Sequence, residues 1–177
     1  MKISNGSTKN YTFAFDMDAK NLELLDWSRS NKKQIRSLTR SLQKDKSGKV
    51  DDQFFGLHQE AFQEIDCLSC ANCCKTTSPI FLKSDIDRLA RIFKMKPSDF
   101  INTYLREDED GDYVLQDNPC PFLLDNNKCL VYEDRPKACK EYPHTNRKKM
   151  HQIMDLTYRN SQMCPAVSYI MQKLMRQ

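Results

Sequence analysis

Half of the eight cysteines in this 177-residue chain stand in one stretch, CLSCANCC, which sets thiols at Cys67, Cys70, Cys73 and Cys74. The other four, Cys120, Cys129, Cys139 and Cys164, follow downstream. So much sulfur in so little chain allows four chemistries: a disulfide framework, a redox dithiol, a metal or iron–sulfur centre, or plain core packing. In C-x2-C-x2-C, single tight turns separate three sulfurs and let them converge on one centre. That centre is either a tetrahedral zinc ion with bonds of about 2.3 Å or one face of an iron–sulfur cubane. A ferredoxin run continues with a further cysteine, but here that position is Thr77. A fourth ligand must therefore come from elsewhere, and Cys74, Cys120 and Cys164 are candidates. A zinc ribbon needs a second C-x2-C knuckle, and Cys120, Cys129 and Cys139 are spaced too widely to form one. This tilts the reading toward iron–sulfur and leaves zinc open.

The other chemistries fit less well. A redox C-x-x-C follows a strand in a βαβ context, whereas a helical pattern precedes Cys67. Disulfides belong to oxidising compartments, and the N-terminal residues show no apolar run that could serve as a signal-peptide core. No window approaches the roughly 20 apolar residues of a membrane-spanning helix, and the mean hydropathy is −0.73. The chain is accordingly expected to be cytoplasmic and off the membrane. A net charge of +4 and a pI near 8.6 do not by themselves announce a nucleic-acid binder.

These thiols need elements to hold them. From Asn21 to about Lys46, the residues Leu24, Trp27, Ile35, Leu38 and Leu42 recur at the helical period. The opposite face is basic, with Arg29, Lys32, Lys33, Arg36, Arg40, Lys44, Lys46 and Lys49 against a single acid, Asp45. That face is either a solvated surface or a docking surface for RNA or an acidic partner over residues 29–49. Gly48 breaks this helix, and Phe54, Phe55, Leu57, Phe62 and Ile65 mark a second one, giving a helical hairpin. Beyond the cluster come a short extended piece at Ile80–Leu82, then a helix near Asp85 that buries Ile86, Leu89, Ile92 and Phe93. Ser84 and Asp87 resemble its capping box. Another helix carries Phe100, Ile101, Tyr104 and Leu105. The arms Phe122–Leu124 and Leu130–Tyr132 read as a β-hairpin. Asp134 and Pro136 open a short helix that Pro143 ends, and Pro165 opens a last helix with Val167, Ile170, Met171 and Leu174. The expected fold is mainly α with a small β-hairpin: residues 1–62 form an N-terminal helical extension and 63–177 a compact, metal-stapled domain.

Each downstream cysteine lies beside a turn or a helix end, where free N–H groups stabilise thiolate sulfur. CLSCANCC, PIFLKSDIDRLAR, CPFLLDNNKCLVYEDRPKACKEYP and the late Cys164-Pro165 together resemble the YkgJ-like CxxCxxCC cysteine-cluster family. That resemblance runs from about Cys67 to Pro165 and implies a zinc- or iron-chelating domain with all eight cysteines, Cys67, Cys70, Cys73, Cys74, Cys120, Cys129, Cys139 and Cys164, as metal ligands. Its members often have glycine where this chain has Ala71-Asn72, and the N-terminal sixty or so residues lie outside the shared pattern.

The resemblance implies metal chelation, with the metal structural or electron-carrying, and no reaction. A second class is enzymatic, because the cysteine domain is similar to part of flagellin lysine N-methylases. Against it stand only four glycines, none grouped into a loop that would cradle a nucleotide-like cosubstrate. Arg135 pairs either with thiolate charge or with carboxylates, and the expectation is that it pins the hairpin to the short helix. His144 is a spare ligand type, while His58 and His151 are expected to have no metal role. Cys67, Cys70 and Cys73 should take Cys164 as their fourth sulfur. Cys74, pointing away from Cys73 in extended chain, should join Cys120, Cys129 and Cys139.

Overall fold

The apolar stripe that reads as one long helix folds as two. A computed structural model describes residues 17–176, with α1 at Ala19–Ser30 and α2 at Lys32–Leu42. Residues 1–16, where no signal-peptide core is expected, and Gln177 lie outside the described residues. The break falls at Asn31, whose side-chain amide donates to the Trp27 carbonyl at 2.8 Å. Such a local bond gives the backbone an alternative to continued helix. Gly48 takes a left-handed φ of 86° and starts α3, Lys49–Glu64, as the sequence predicts.

The middle of the chain is built from short pieces. These are α4 (Cys67–Cys70), α5 (Asn72–Thr76), α6 (Lys83–Ile92), α7 (Pro97–Tyr104), the strands β1 (Leu105–Glu107) and β2 (Tyr113–Leu115), and α8 (Lys137–Glu141). Then come α9 (Met154–Ser161) and α10 (Pro165–Leu174). The expected mainly α architecture with a small hairpin is present, but the hairpin is elsewhere. β1 and β2 pair antiparallel, Leu105 opposite Leu115, around the acidic turn at residues 108–112. Asp108 organises that turn by accepting from the N–H groups of Asp110 and Asp112, both at 3.0 Å. Residues 122–132 keep a single bridge, Leu123 to Cys129. With Leu124 and Leu130 exposed, these arms lack the alternating buried face that would extend a ladder.

α6 starts two residues before Asp85. Leu82 is its N-cap, and the Asp85 carboxylate reaches back to the Leu82 N–H at 3.1 Å. Asp85, not Asp87, is thus the acid of the capping box. Ile92 is exposed rather than buried.

Two apolar cores result. One gathers Leu24, Ile35, Val50 and Phe54 with Met150, Met154, Val167, Ile170 and Met171, so α1 to α3 share an interior with α9 and α10. The other holds Phe81, Ile86, Leu89, Phe100, Leu115 and Phe122. Cys164 packs against the first core, and Cys120 and Cys129 against the second. CLSCANCC joins the segments that build the two. Among the described residues no helix is long and apolar enough to cross a membrane.

Candidate metal centre

CLSCANCC folds as two helical turns, α4 and α5, hinged at Ala71. The Asp66 carboxylate caps α4 by accepting from the Leu68 N–H at 3.0 Å. Ala71 ends α4 in the left-handed region with φ 46°, a conformation that glycine adopts most readily. The hinge turns the backbone N–H of Asn72 toward the Cys70 sulfur. Without that reversal the thiols of one continuous helix would spiral apart.

Four of the eight sulfurs line one cleft, and Cys74 acts on Cys67 and Cys70 as well as on Cys120, Cys129 and Cys139. The four, Cys67, Cys70, Cys73 and Cys164, share this narrow cleft with Phe62 and Tyr142. Asn72 closes it by donating to the Met163 carbonyl at 2.6 Å, which brings the last cysteine to the first three. Outside this cleft, the Cys120 N–H donates to the Cys74 carbonyl at 2.8 Å, and Cys139 feels the charge of Cys74, Cys120 and Cys129. Asn127 ties this loop to α4 through the Ser69 carbonyl at 3.0 Å. The Cys73 and Cys74 sulfurs lie 3.9 Å apart.

Burial sets the thiols' acidity. It is the main cause pushing Cys67 and Cys120 up to about 11 and Cys139 and Cys164 up to about 12, and it also raises Cys70 and Cys129. Neighbouring thiols add to this, since a second negative charge nearby is unfavourable. Cys73 is raised because its thiol hydrogen-bonds to Cys74, and for the same reason Cys74 is lowered to about 7. Backbone N–H groups work against burial: Phe122 and Leu123 at Cys120, Val131 at Cys129, Ala166 and Val167 at Cys164. The Cys164 donors are the first N–H groups of α10, as its place at a helix start predicts.

A family model described as a zinc- or iron-chelating domain matches residues 66–165, more than half of the chain. The chain belongs to the CxxCxxCC family. No curated protein and no solved structure matches it.

A CxxCxxCC domain needs ligands and something to balance their charge, and this chain's surroundings fit that need. Among the described residues, three buried side-chain polar atoms lack a nitrogen or oxygen hydrogen-bond partner: Arg135 Nε, Tyr142 Oη and Gln162 Oε1. Two of these are donors beside thiols. Tyr142 faces Cys164, Cys73 and Cys67, while the Arg135 charge acts on Cys67, Cys74, Cys129 and Cys139. Buried donors are rarely left without acceptors, and a thiolate-bound metal centre would supply them. As they stand, no three His, Cys, Asp or Glu side chains among the described residues are grouped to hold a metal ion.

The expectation for Arg135 is corrected. No carboxylate pairs with it among the described residues, and its guanidinium stacks 3.6 Å above the Tyr132 ring. The pin at this corner is Arg88, which bonds Asp85 at 2.7 Å and the carbonyls of Asp134 and Arg135 at 3.1 and 2.9 Å. Asp85 also accepts from the Lys137 N–H at 3.3 Å, steadying the start of α8 and so Cys139. His58 pairs with Thr145 Oγ1 at 2.8 Å, and His144 packs its ring edge-on to Tyr142. Sequence reasoning missed Tyr142. The available signal was its position three residues after Cys139, just past the end of α8.

Proposed function

We propose that the chain is a metal-binding module with two four-cysteine centres. Cys67, Cys70, Cys73 and Cys164 hold the first, and Cys74, Cys120, Cys129 and Cys139 hold the second. The observation that supports this reading is a pair of buried donors beside the thiols: Arg135, whose Nε has no other partner and whose charge acts on Cys67, Cys74, Cys129 and Cys139, and Tyr142, which faces Cys164, Cys73 and Cys67. Iron–sulfur clusters are favoured over single zinc ions. A cubane spreads its four ligands over four irons, and the C-x2-C-x2-C run of Cys67, Cys70 and Cys73 has the spacing of such a cluster's ligands. A cluster also suits the N–H groups directed at the sulfurs, since such bonds tune cluster potentials. When bound, a cluster supplies one-electron chemistry. The protein's own part is to hold eight sulfurs, give up their protons and offset their charge.

The test is anaerobic purification of the full chain, followed by an absorption spectrum and measurement of zinc, iron and acid-labile sulfide per chain. Iron and sulfide in equal amounts, with broad visible absorption, are expected. Colourless protein carrying zinc would replace the cluster with structural chelation, and absence of any metal would end the proposal.

A further inference from the structure

The basic face of α2 is a concave site. Lys32, Lys33, Arg36, Arg40 and Lys44, with Ser37 and Ser41 between them, line an open cleft of about 590 Å³ whose far wall is Tyr158 of α9. Lys32, Arg36, Arg40 and Lys44 are four residues apart, so they form a row along one side of the helix with successive members about 6 Å apart. Arg36 is anchored. Its guanidinium lies 4.7 Å from the Tyr158 ring centre and bonds Asp155 at 2.8 Å. The other four cations are exposed, and no carboxylate among the described residues pairs with any of them. Elsewhere the fold pairs Lys20, Lys83, Lys137 and Lys173 with acids. In the cleft, by contrast, four exposed cations stand within thirteen residues with one paired arginine among them.

We infer that this cleft binds the sugar–phosphate backbone of a nucleic-acid strand. Its chemistry is a row of cations, all free but Arg36, with two hydroxyls between them, which matches a repeating anion. An acidic protein is the poorer match, because protein interfaces are anchored by buried aromatic and aliphatic side chains. Tyr158 is the cleft's single large apolar group, and Arg36 covers it. No base-reading arrangement is present, so binding is independent of sequence and strongly dependent on salt. The inference rests on α2 and α9 and does not depend on the metal reading.

The test uses the full chain and short fluorescein-labelled RNA and DNA strands, followed by fluorescence anisotropy at several salt concentrations. Both strands should bind comparably. For four neutralised phosphates on a single strand, log K should fall against log salt with a slope of about −3, some 50-fold between 50 and 200 mM. A variant combining Lys32→Gln, Lys33→Gln, Arg40→Gln and Lys44→Gln should lose this binding by at least about tenfold. These exposed changes leave the fold intact, as a thermal melt and the metal content will check. Lys83→Gln with Lys96→Gln, outside the cleft, should leave binding unchanged. The inference is overturned if the full chain shows no salt-dependent binding. It is equally overturned if the fourfold variant binds as tightly as the parent, or if polyglutamate at matched charge displaces the strand.

Discussion

The sulfur atoms of Cys73 and Cys74 touch at 3.9 Å, while Cys73 lines the cleft with Cys67, Cys70 and Cys164 and Cys74 acts on Cys139. In extended chain neighbouring side chains point to opposite faces, and on that basis they should have parted. They sit instead in α5, where successive residues turn by about 100°. The two sulfurs diverge enough to face different partners and remain close enough to share a proton.

Cys73→Ser and Cys74→Ser should each remove about half of the bound metal, because each opens one four-ligand centre and spares the other. Melting temperature should fall with metal content in both variants. Full metal in either one, measured per chain, would remove that residue from the ligand set.

Ala71→Gly should stabilise the protein. A left-handed φ costs an alanine about 1 kcal/mol relative to glycine, and glycine's extra freedom in the unfolded chain returns part of that. A net gain of about 0.5 kcal/mol is expected, read as a higher urea midpoint with an unchanged slope. A lower midpoint would mean that packing of the buried Ala71 methyl outweighs backbone strain.

Tyr142→Phe separates the two states of the site. In the metal-free protein it removes a buried hydroxyl whose one hydrogen-bonding neighbour is the Cys164 thiol, so stability should change by less than about 1 kcal/mol. In the loaded protein it removes a donor to sulfur, so the reduction potential of the first centre should fall while metal content holds. A potentiometric titration followed by electron paramagnetic resonance reads the second effect, and identical potentials would deny the bond.

Stability of the metal-free protein should decline in alkali. In the unfolded chain thiols lose their protons near 9.0, whereas in the fold Cys67 and Cys120 keep theirs to about 11 and Cys139 and Cys164 to about 12. Stability from these four is whole below pH 9 and is lost as pH rises toward 12. Cys74, lowered to about 7, acts oppositely, adding stability above 9 that disappears as pH falls through 7. Four groups outweigh one, so urea midpoints recorded between pH 8 and 11 should decrease.

Asp85→Ala should cost about 3 kcal/mol, since it removes the buried partner of Arg88 and uncaps both α6 and α8. Asp85 is 2% exposed and meets three donors. Denaturant unfolding checks this, and a loss below about 1 kcal/mol would show the network to be superficial.

Much of this was legible in the sequence wherever the signal was local. The turns around Cys67, Cys70 and Cys73 follow from their spacing, and α10 follows from Val167, Ile170, Met171 and Leu174. α9 was not legible, because its buried face includes Thr157, Asn160 and Ser161. Such a face shows no apolar period; its groups are satisfied by tertiary and local bonds, as when Asn160 donates to the Pro143 carbonyl at 3.1 Å. Asn31 hid the division of the first helix for a similar reason, since it is an ordinary helix residue until its amide finds a carbonyl. The role of Arg135 was misread because a guanidinium's partner depends on what the fold places around it.

The bond from Asn72 to Met163 also imposes an order of events on biosynthesis. Cys164 is made about 100 residues after Cys67, a delay of roughly 5–20 s at ordinary translation rates. Until then Cys67, Cys70 and Cys73 have neither Cys164 nor a complete Tyr142 turn beside them. Metal that arrives during synthesis therefore meets an open claw rather than a closed site.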